Sequence, residues 1–210
     1  GVLFLAEFPE FKRDVLEVMR QPLEDGHVTI ARAQASLTYP ANFMLVAAMN
    51  PCPCGFYNDH VKPCTCTPHM IHKYLQRISG PLLDRIDIHV EVPRLKQNEL
   101  MSKSAGESSS LIRGRVKAAR EIQNARLTGS KIFCNAQMNT RQMKLYCKLS
   151  DDGESMLKQA IEHLRLSARA FDRILKLSRT IADLACAESI GIEHVAEAVQ
   201  YRSLDRKYWG

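Results

Sequence analysis

Val2-Leu3-Phe4-Leu5-Ala6-Glu7 starts with four consecutive apolar side chains and ends on a carboxylate. A run without polar alternation has no face to offer water, so it predicts a strand inside a parallel sheet that is covered on both sides. Phe43–Met49 is a second run of this kind, and Ile88–Val92 a third, closed by Pro93. Between the first two, Lys12–Arg20 has helical character and Val28–Leu37, just after Gly26, suggests a hairpin. Strands separated by helices give an α/β reading for this part of the chain. A polar, Ser-containing stretch, Gln97–Ser109, reads as a linker. Beyond it the period changes: Leu111, Ile112, Val116, Ala119 and Ile122 recur at helical spacing, as do Met156, Leu157, Ala160, Ile161 and Leu164. Phe171, Ile174, Leu175, Ser178, Ile181 and Leu184 form a third stripe, with Ser167 placed to cap its helix. Gly191 precedes a last helix near Ile192–Tyr201, so the second half is all-α.

With 210 residues, 45% of them apolar and 25% charged, the chain can bury a core for one large or two small domains, so disorder is not the default. No run approaches the roughly 20 apolar residues of a membrane span. The start lacks a basic segment and a small-residue cleavage site, so a cytoplasmic protein is expected rather than a secreted one. An apolar strand at residue 2 reads like the middle of a fold, because it needs neighbours not yet supplied. The formal charge of +6 suits an anionic partner such as nucleic acid, although the basic residues are dispersed and also fit an ordinary solvated surface. Seven cysteines, four of them between positions 52 and 66, fit a reducing compartment and metal ligation better than a disulfide framework.

An acidic residue at the carboxyl end of an inner strand stands where open parallel sheets bind ligands. The form is that of a Walker B strand, in which one carboxylate holds magnesium and a following Glu polarises the attacking water. Glu7 suits the second task; the methyl of Ala6 cannot do the first. Asn50 ends the second apolar run with an amide that can bond both a phosphate oxygen and a water, or simply form a turn before Pro51. Arg85, within Ser79-Gly80-Pro81-Leu82-Leu83-Asp84-Arg85-Ile86-Asp87, is a permanently charged fork suited to a phosphoryl group, or one half of a local surface ion pair with Asp84 or Asp87. Arg169, within Ser167-Ala168-Arg169-Ala170-Phe171-Asp172-Arg173, belongs to the polar face of an amphipathic helix, where solvation is the usual fate.

The run Gly1-Val2-Leu3-Phe4-Leu5-Ala6-Glu7-Phe8-Pro9-Glu10-Phe11, continuing into Leu16-Glu17-Val18-Met19-Arg20-Gln21-Pro22-Leu23-Glu24-Asp25-Gly26, resembles the Mg-chelatase-like AAA+ ATPase family of the ComM and YifB type. The resemblance covers nearly the whole chain. It implies the second half of an AAA+ P-loop NTPase core over residues 1–95, with a cysteine-rich insertion at 51–69, a linker at 96–107, and a helical lid over 108–210. It implies Glu7 as the catalytic carboxylate, Asn50 as sensor 1, Arg85 as an arginine finger acting on ATP in an adjacent subunit, and Arg169 as the sensor-2 contact. In this family an Asp is expected where Ala6 stands. ATP and Mg²⁺ are the implied cofactors, a hexameric ring the implied assembly, and DNA in recombination or branch migration the implied target. The phosphate-binding loop lies upstream in the family; no G-x-x-x-x-G-K-[ST] exists in these 210 residues, so the chain alone is expected to be inactive. A magnesium chelatase ATPase subunit shares the same motor.

Cys52-Pro53-Cys54 and Cys64-Thr65-Cys66 are two CxC pairs around a loop containing Gly55, Asn58, Asp59 and Pro63. Four thiolates satisfy a closed, structural Zn²⁺ site with no open position for a catalytic water. Reduced thiols without metal and a disulfide pair are the alternatives, with His60, His69 and His72 as further candidate ligands. A zinc-stabilised nucleic-acid-binding module without ATPase activity is the second functional class that these features allow.

Overall fold

The structure is a computed structural model and describes residues 1–32, 35–95, 101, 106–164 and 166–202. Most of the expected linker lies outside the described residues. The chain divides into two compact units, Gly1–Ile86 and Asp87–Leu204.

The first unit contains strands β1 (Val2–Leu5), β2 (His27–Arg32), β3 (Ala35–Pro40) and β4 (Met44–Ala47). β1 and β4 pair in parallel, with Val2 opposite Met44 and Leu5 opposite Ala47. β2 and β3 form the expected hairpin, with Thr29 and Thr38 hydroxyls 3.1 Å apart across it. The helical stretch after β1 is split into α1 (Arg13–Val18) and α2 (Arg20–Asp25). Pro22 explains the break: its ring excludes the carbonyl four positions earlier from an α-helical bond, and that residue is Val18, the last of α1. Gly26 ends α2 in the left-handed region at φ 68°, where a Cβ would lie 2.3 Å from the Asn42 side-chain oxygen, so both backbone and neighbour favour glycine.

Helices α3 (Pro68–Leu75) and α4 (Gly80–Leu83) follow the cysteine loop. Thr67 and Ser79 cap them by accepting from the backbone N–H groups of Met70 and Leu82. Phe8, Leu16, Ile78, Leu82 and Leu83 form the core, against which Leu5 and Leu45 of the parallel strands pack.

The double coverage expected of β1 and β4 is not what the structure shows. Val2, Phe4 and Met44 are 64%, 61% and 60% exposed, and only one face of the pair meets the core. Among the described residues β1 and β4 pair only with each other. The expected third strand at Ile88–Val92 is also absent: these residues form no ladder, and the His89 N–H donates instead to the Tyr201 carbonyl at 2.9 Å. Strand propensity alone does not make a strand where no neighbouring ladder is in reach.

The second unit is helical: α5 (Ser109–Arg126), α6 (Thr140–Tyr146), α7 (Asp151–Leu164), α8 (Ala168–Leu184) and α9 (Ile192–Gln200). The three stripes read from sequence fall on α5, α7 and α8. Ser167 caps α8 as anticipated, accepting from the Ala170 N–H, and Ser108, not singled out in the sequence, caps α5 by accepting from the Leu111 N–H. Asn139 and Gln142 close a reciprocal capping box on α6, a short helix whose period is too brief to detect. Asp151, Asp152 and Glu154 occupy the first turn of α7, where the helix dipole favours negative charge. α8 is the central element, packed on α5, α6 and α9. Ile174, Ile181 and Ala182 of α8 meet Leu157, Val195 and Ala198 in the core. Burying each large aliphatic side chain here contributes about 1.5–3 kcal/mol.

Candidate functional site

The parallel register carries β1 and β4 to a common carboxyl edge. The Ala48 N–H donates to the Leu5 carbonyl at 2.9 Å and the Phe8 N–H to the Ala48 carbonyl at 3.0 Å, so the two chains leave the sheet side by side. Glu7 and Asn50 both follow directly and are exposed at that edge. Glu7 has φ 54° and ψ 44°, a left-handed conformation that costs a non-glycine residue free energy. Neighbours hold it there: the Glu10 N–H donates to the Glu7 carbonyl at 2.7 Å, and Phe8 and Pro9 are buried beside it. Arg77 fixes the same turn by donating to the Pro9 carbonyl at 3.0 Å and to Glu10 at 2.8 Å.

On the Asn50 side, Gly55 has φ 81°, and a Cβ on it would come to 3.9 Å of the Asn50 side chain. Tyr74 of α3 is buried and hydrogen-bonds the Asn50 backbone. Burial, and then the charge of Glu10, push its phenol up against that hydrogen bond.

Arg85 is only 8% exposed, so the reading of it as one half of a surface pair is corrected. Its guanidinium donates to the Pro81 carbonyl at 2.6 Å and pairs closely with Glu24 near the end of α2, 61 positions earlier. The Asp87 carboxylate pairs instead with Arg173. Arg169 lies in the first turn of α8 in the helical unit and is exposed.

The two CxC pairs meet. Cys52 Sγ lies 3.4 Å from that of Cys54 and 3.8 Å from that of Cys64, with Cys54 and Cys64 3.5 Å apart; all four sulfurs lie within 4.8 Å of one another. A tetrahedron of thiolates at about 2.3 Å from zinc has sulfurs roughly 3.8 Å apart, so the cluster is close to the size the ion requires. All seven cysteines are free thiols, so no disulfide joins the pairs here. His60, His69 and His72 are not part of the cluster, which among the described residues is purely sulfur.

The loop reverses by local means. The Gly55 N–H donates to the Cys52 carbonyl at 3.0 Å, and Asp59 accepts from the Val61 and Lys62 N–H groups at 2.7 and 2.9 Å. Backbone N–H groups of Phe56 and Thr65 pull the Cys54 thiol down to about 5. Loss of hydration, followed by the neighbouring thiols, pushes Cys66 up to about 12. A divalent ion bound among them would hold all four as thiolates.

Some positioning residues were not legible in the sequence. Glu24 and Arg77 are ordinary charges in their local strings, and no periodicity links them to Arg85 or to the Glu7 turn.

Residues 1–100 match the family model described as "Magnesium chelatase, subunit ChlI", and residues 106–202 match "Magnesium chelatase, subunit ChlI C-terminal". The chain belongs to the Mg-chelatase-like family. Among relatives in it, "Competence protein ComM" of Haemophilus influenzae is 48% identical over 98% of this chain. Two proteins named YifB, from Salmonella typhimurium and Escherichia coli, are each 44% identical over 98% of it. In each comparison the chain spans 40% of the relative's length. The α/β unit with its small parallel sheet and the helical unit agree with this membership, although the first family model runs past Ile86 into the sequence of the second unit. Among the described residues, no helix of this Mg-chelatase-like chain is long and apolar enough to cross a membrane.

Proposed function

We propose that this chain is the hydrolytic edge and lid of a ring-forming AAA+ ATPase that remodels DNA. Its first unit supplies the second half of a nucleotide-binding core and its second unit the helical lid. The observation that carries this reading is the placement of Glu7 and Asn50 together at the carboxyl edge of β1 and β4, with Glu7 in a strained backbone conformation. In this proposal the Glu7 carboxylate polarises the water that attacks the γ-phosphate of ATP, and the Asn50 amide orients it. Arg85 neutralises developing charge on the nucleotide of an adjacent subunit, and Arg169 ties the lid to the phosphates. The residues present do not complete a magnesium site, because Ala6 offers no side-chain carboxylate. No step is therefore assigned to that ion.

DNA as the target is supported by the similarity to a protein named for competence and by the net charge of +6. The sulfur cluster we assign as a structural zinc site, supported by its donor set and spacing. A chelatase ATPase subunit is the second reading, favoured by the description of the matching family models. Glu7→Gln in the full-length protein tests the catalytic assignment: ATP binding should be retained and turnover should fall about 100-fold or more. Undiminished turnover would remove Glu7 from the mechanism. DNA-stimulated turnover favours the remodelling reading, and stimulation only by chelatase partner subunits favours the second.

A further inference from the structure

Arg85 is held where a neighbouring subunit cannot use it. Its side chain is 6% exposed, one guanidinium nitrogen is committed to the Pro81 carbonyl, and another is paired with Glu24. The third nitrogen, Nε, is buried and has no hydrogen-bond partner among the described residues. A guanidinium built purely as a structural bolt would satisfy that donor, since leaving it unmet is costly. Glu24, by contrast, is 39% exposed and near the end of α2, one residue before the helix closes on Gly26. The carboxylate thus keeps contact with solvent while the guanidinium does not, and an incoming phosphate would compete with it for Arg85.

We propose that Glu24 is a positioning residue that latches Arg85 in a withdrawn state, and that an anionic phosphate group on an adjacent subunit displaces it. The inference rests on the proposed role of Arg85 toward a neighbour's nucleotide. The exchange replaces one charge-assisted hydrogen bond to a carboxylate with bonds to a more highly charged acceptor, and no covalent bond changes. Latching lowers the fraction of subunits competent to assemble on nucleotide, so the apparent assembly affinity is reduced by that fraction.

The test uses the full-length protein with ATP and with a non-hydrolysable ATP analogue. Glu24→Gln removes the charge and keeps the shape; it should shift the protein concentration for half-maximal assembly and turnover downward by about tenfold. Glu24→Asp, which keeps the charge, should stay near wild type. Arg85→Ala combined with Glu24→Gln should behave as Arg85→Ala alone, because the latch then has nothing to hold. An unchanged or raised midpoint for Glu24→Gln overturns the latch and marks the pair as structural. If Glu24→Gln fails to fold, the latch is likewise overturned in favour of a bolt. Mixing Arg85→Ala subunits with Glu7→Gln subunits separates the two claims: recovered turnover supports Arg85 acting between subunits whatever the Glu24 result. Absence of recovery, with each variant still assembling, removes the role on which the latch depends.

Discussion

Replacing Asp183 with Asn removes one charge from the interior of the helical unit without opening a cavity. Asp183 is fully buried on α8 and accepts from Arg126 at 2.8 Å, from the Arg179 Nε at 3.0 Å and from the Asn135 amide at 2.7 Å. Arg179 also donates to the Glu188 and Ala187 carbonyls at 2.9 and 2.7 Å, and so ties the end of α8 to the following loop. The Asn variant leaves two guanidinium groups, with side chains 13% and 3% exposed, without their carboxylate. Breaking a buried pair in this way costs about 3–5 kcal/mol. That is a large part of the roughly 5–15 kcal/mol that holds a domain folded. Urea unfolding followed by far-ultraviolet circular dichroism reads the loss, because the helical unit dominates that signal. Burial alone would raise the Asp183 carboxyl, but hydrogen bonds from Arg126 and Asn135, with the charges of Arg126 and Arg179, hold it below its ordinary 3.8. A carboxyl depressed in the folded state stabilises fully above its unfolded value and loses that contribution as pH falls through the folded one. The gap between wild type and variant should therefore be constant near neutrality and narrow below about pH 4. A gap under about 1 kcal/mol at neutral pH, or one that widens in acid, would refute the reasoning.

The sulfur cluster should bring about one zinc per chain through purification, and Cys52→Ser should lower that content. Elemental analysis finding no zinc in reduced wild-type protein would remove the metal site. Restoring a carboxylate with Ala6→Asp in the full-length protein should raise magnesium-dependent turnover, read as phosphate release against magnesium concentration. Unchanged turnover would mean that Glu7 acts without a metal ligand at its neighbour.

Where structure and sequence agree, the signal was local. Val2–Leu5 is β1 residue for residue, Ser167 caps α8, and the CxC pairs meet because Gly55 and Asp59 reverse the loop between them. Glu7 and Asn50 were placed correctly at a strand's end, although nothing in the string indicated the left-handed backbone of Glu7. The third strand failed for a non-local reason: Ile88–Val92 has the composition of a strand, but the structure brings no ladder to it.

Backbone preference and periodicity decide helix starts, turn chemistry and the spacing of sulfur ligands, and these act over a few residues that the sequence alone displays. Only the tertiary structure could pair Arg85 with Glu24 across 61 positions, or Arg126 with Asp183 across 57. Such pairings depend on which distant segments packing brings together, and the energy of a buried charge is set by those neighbours rather than by its own place in the chain.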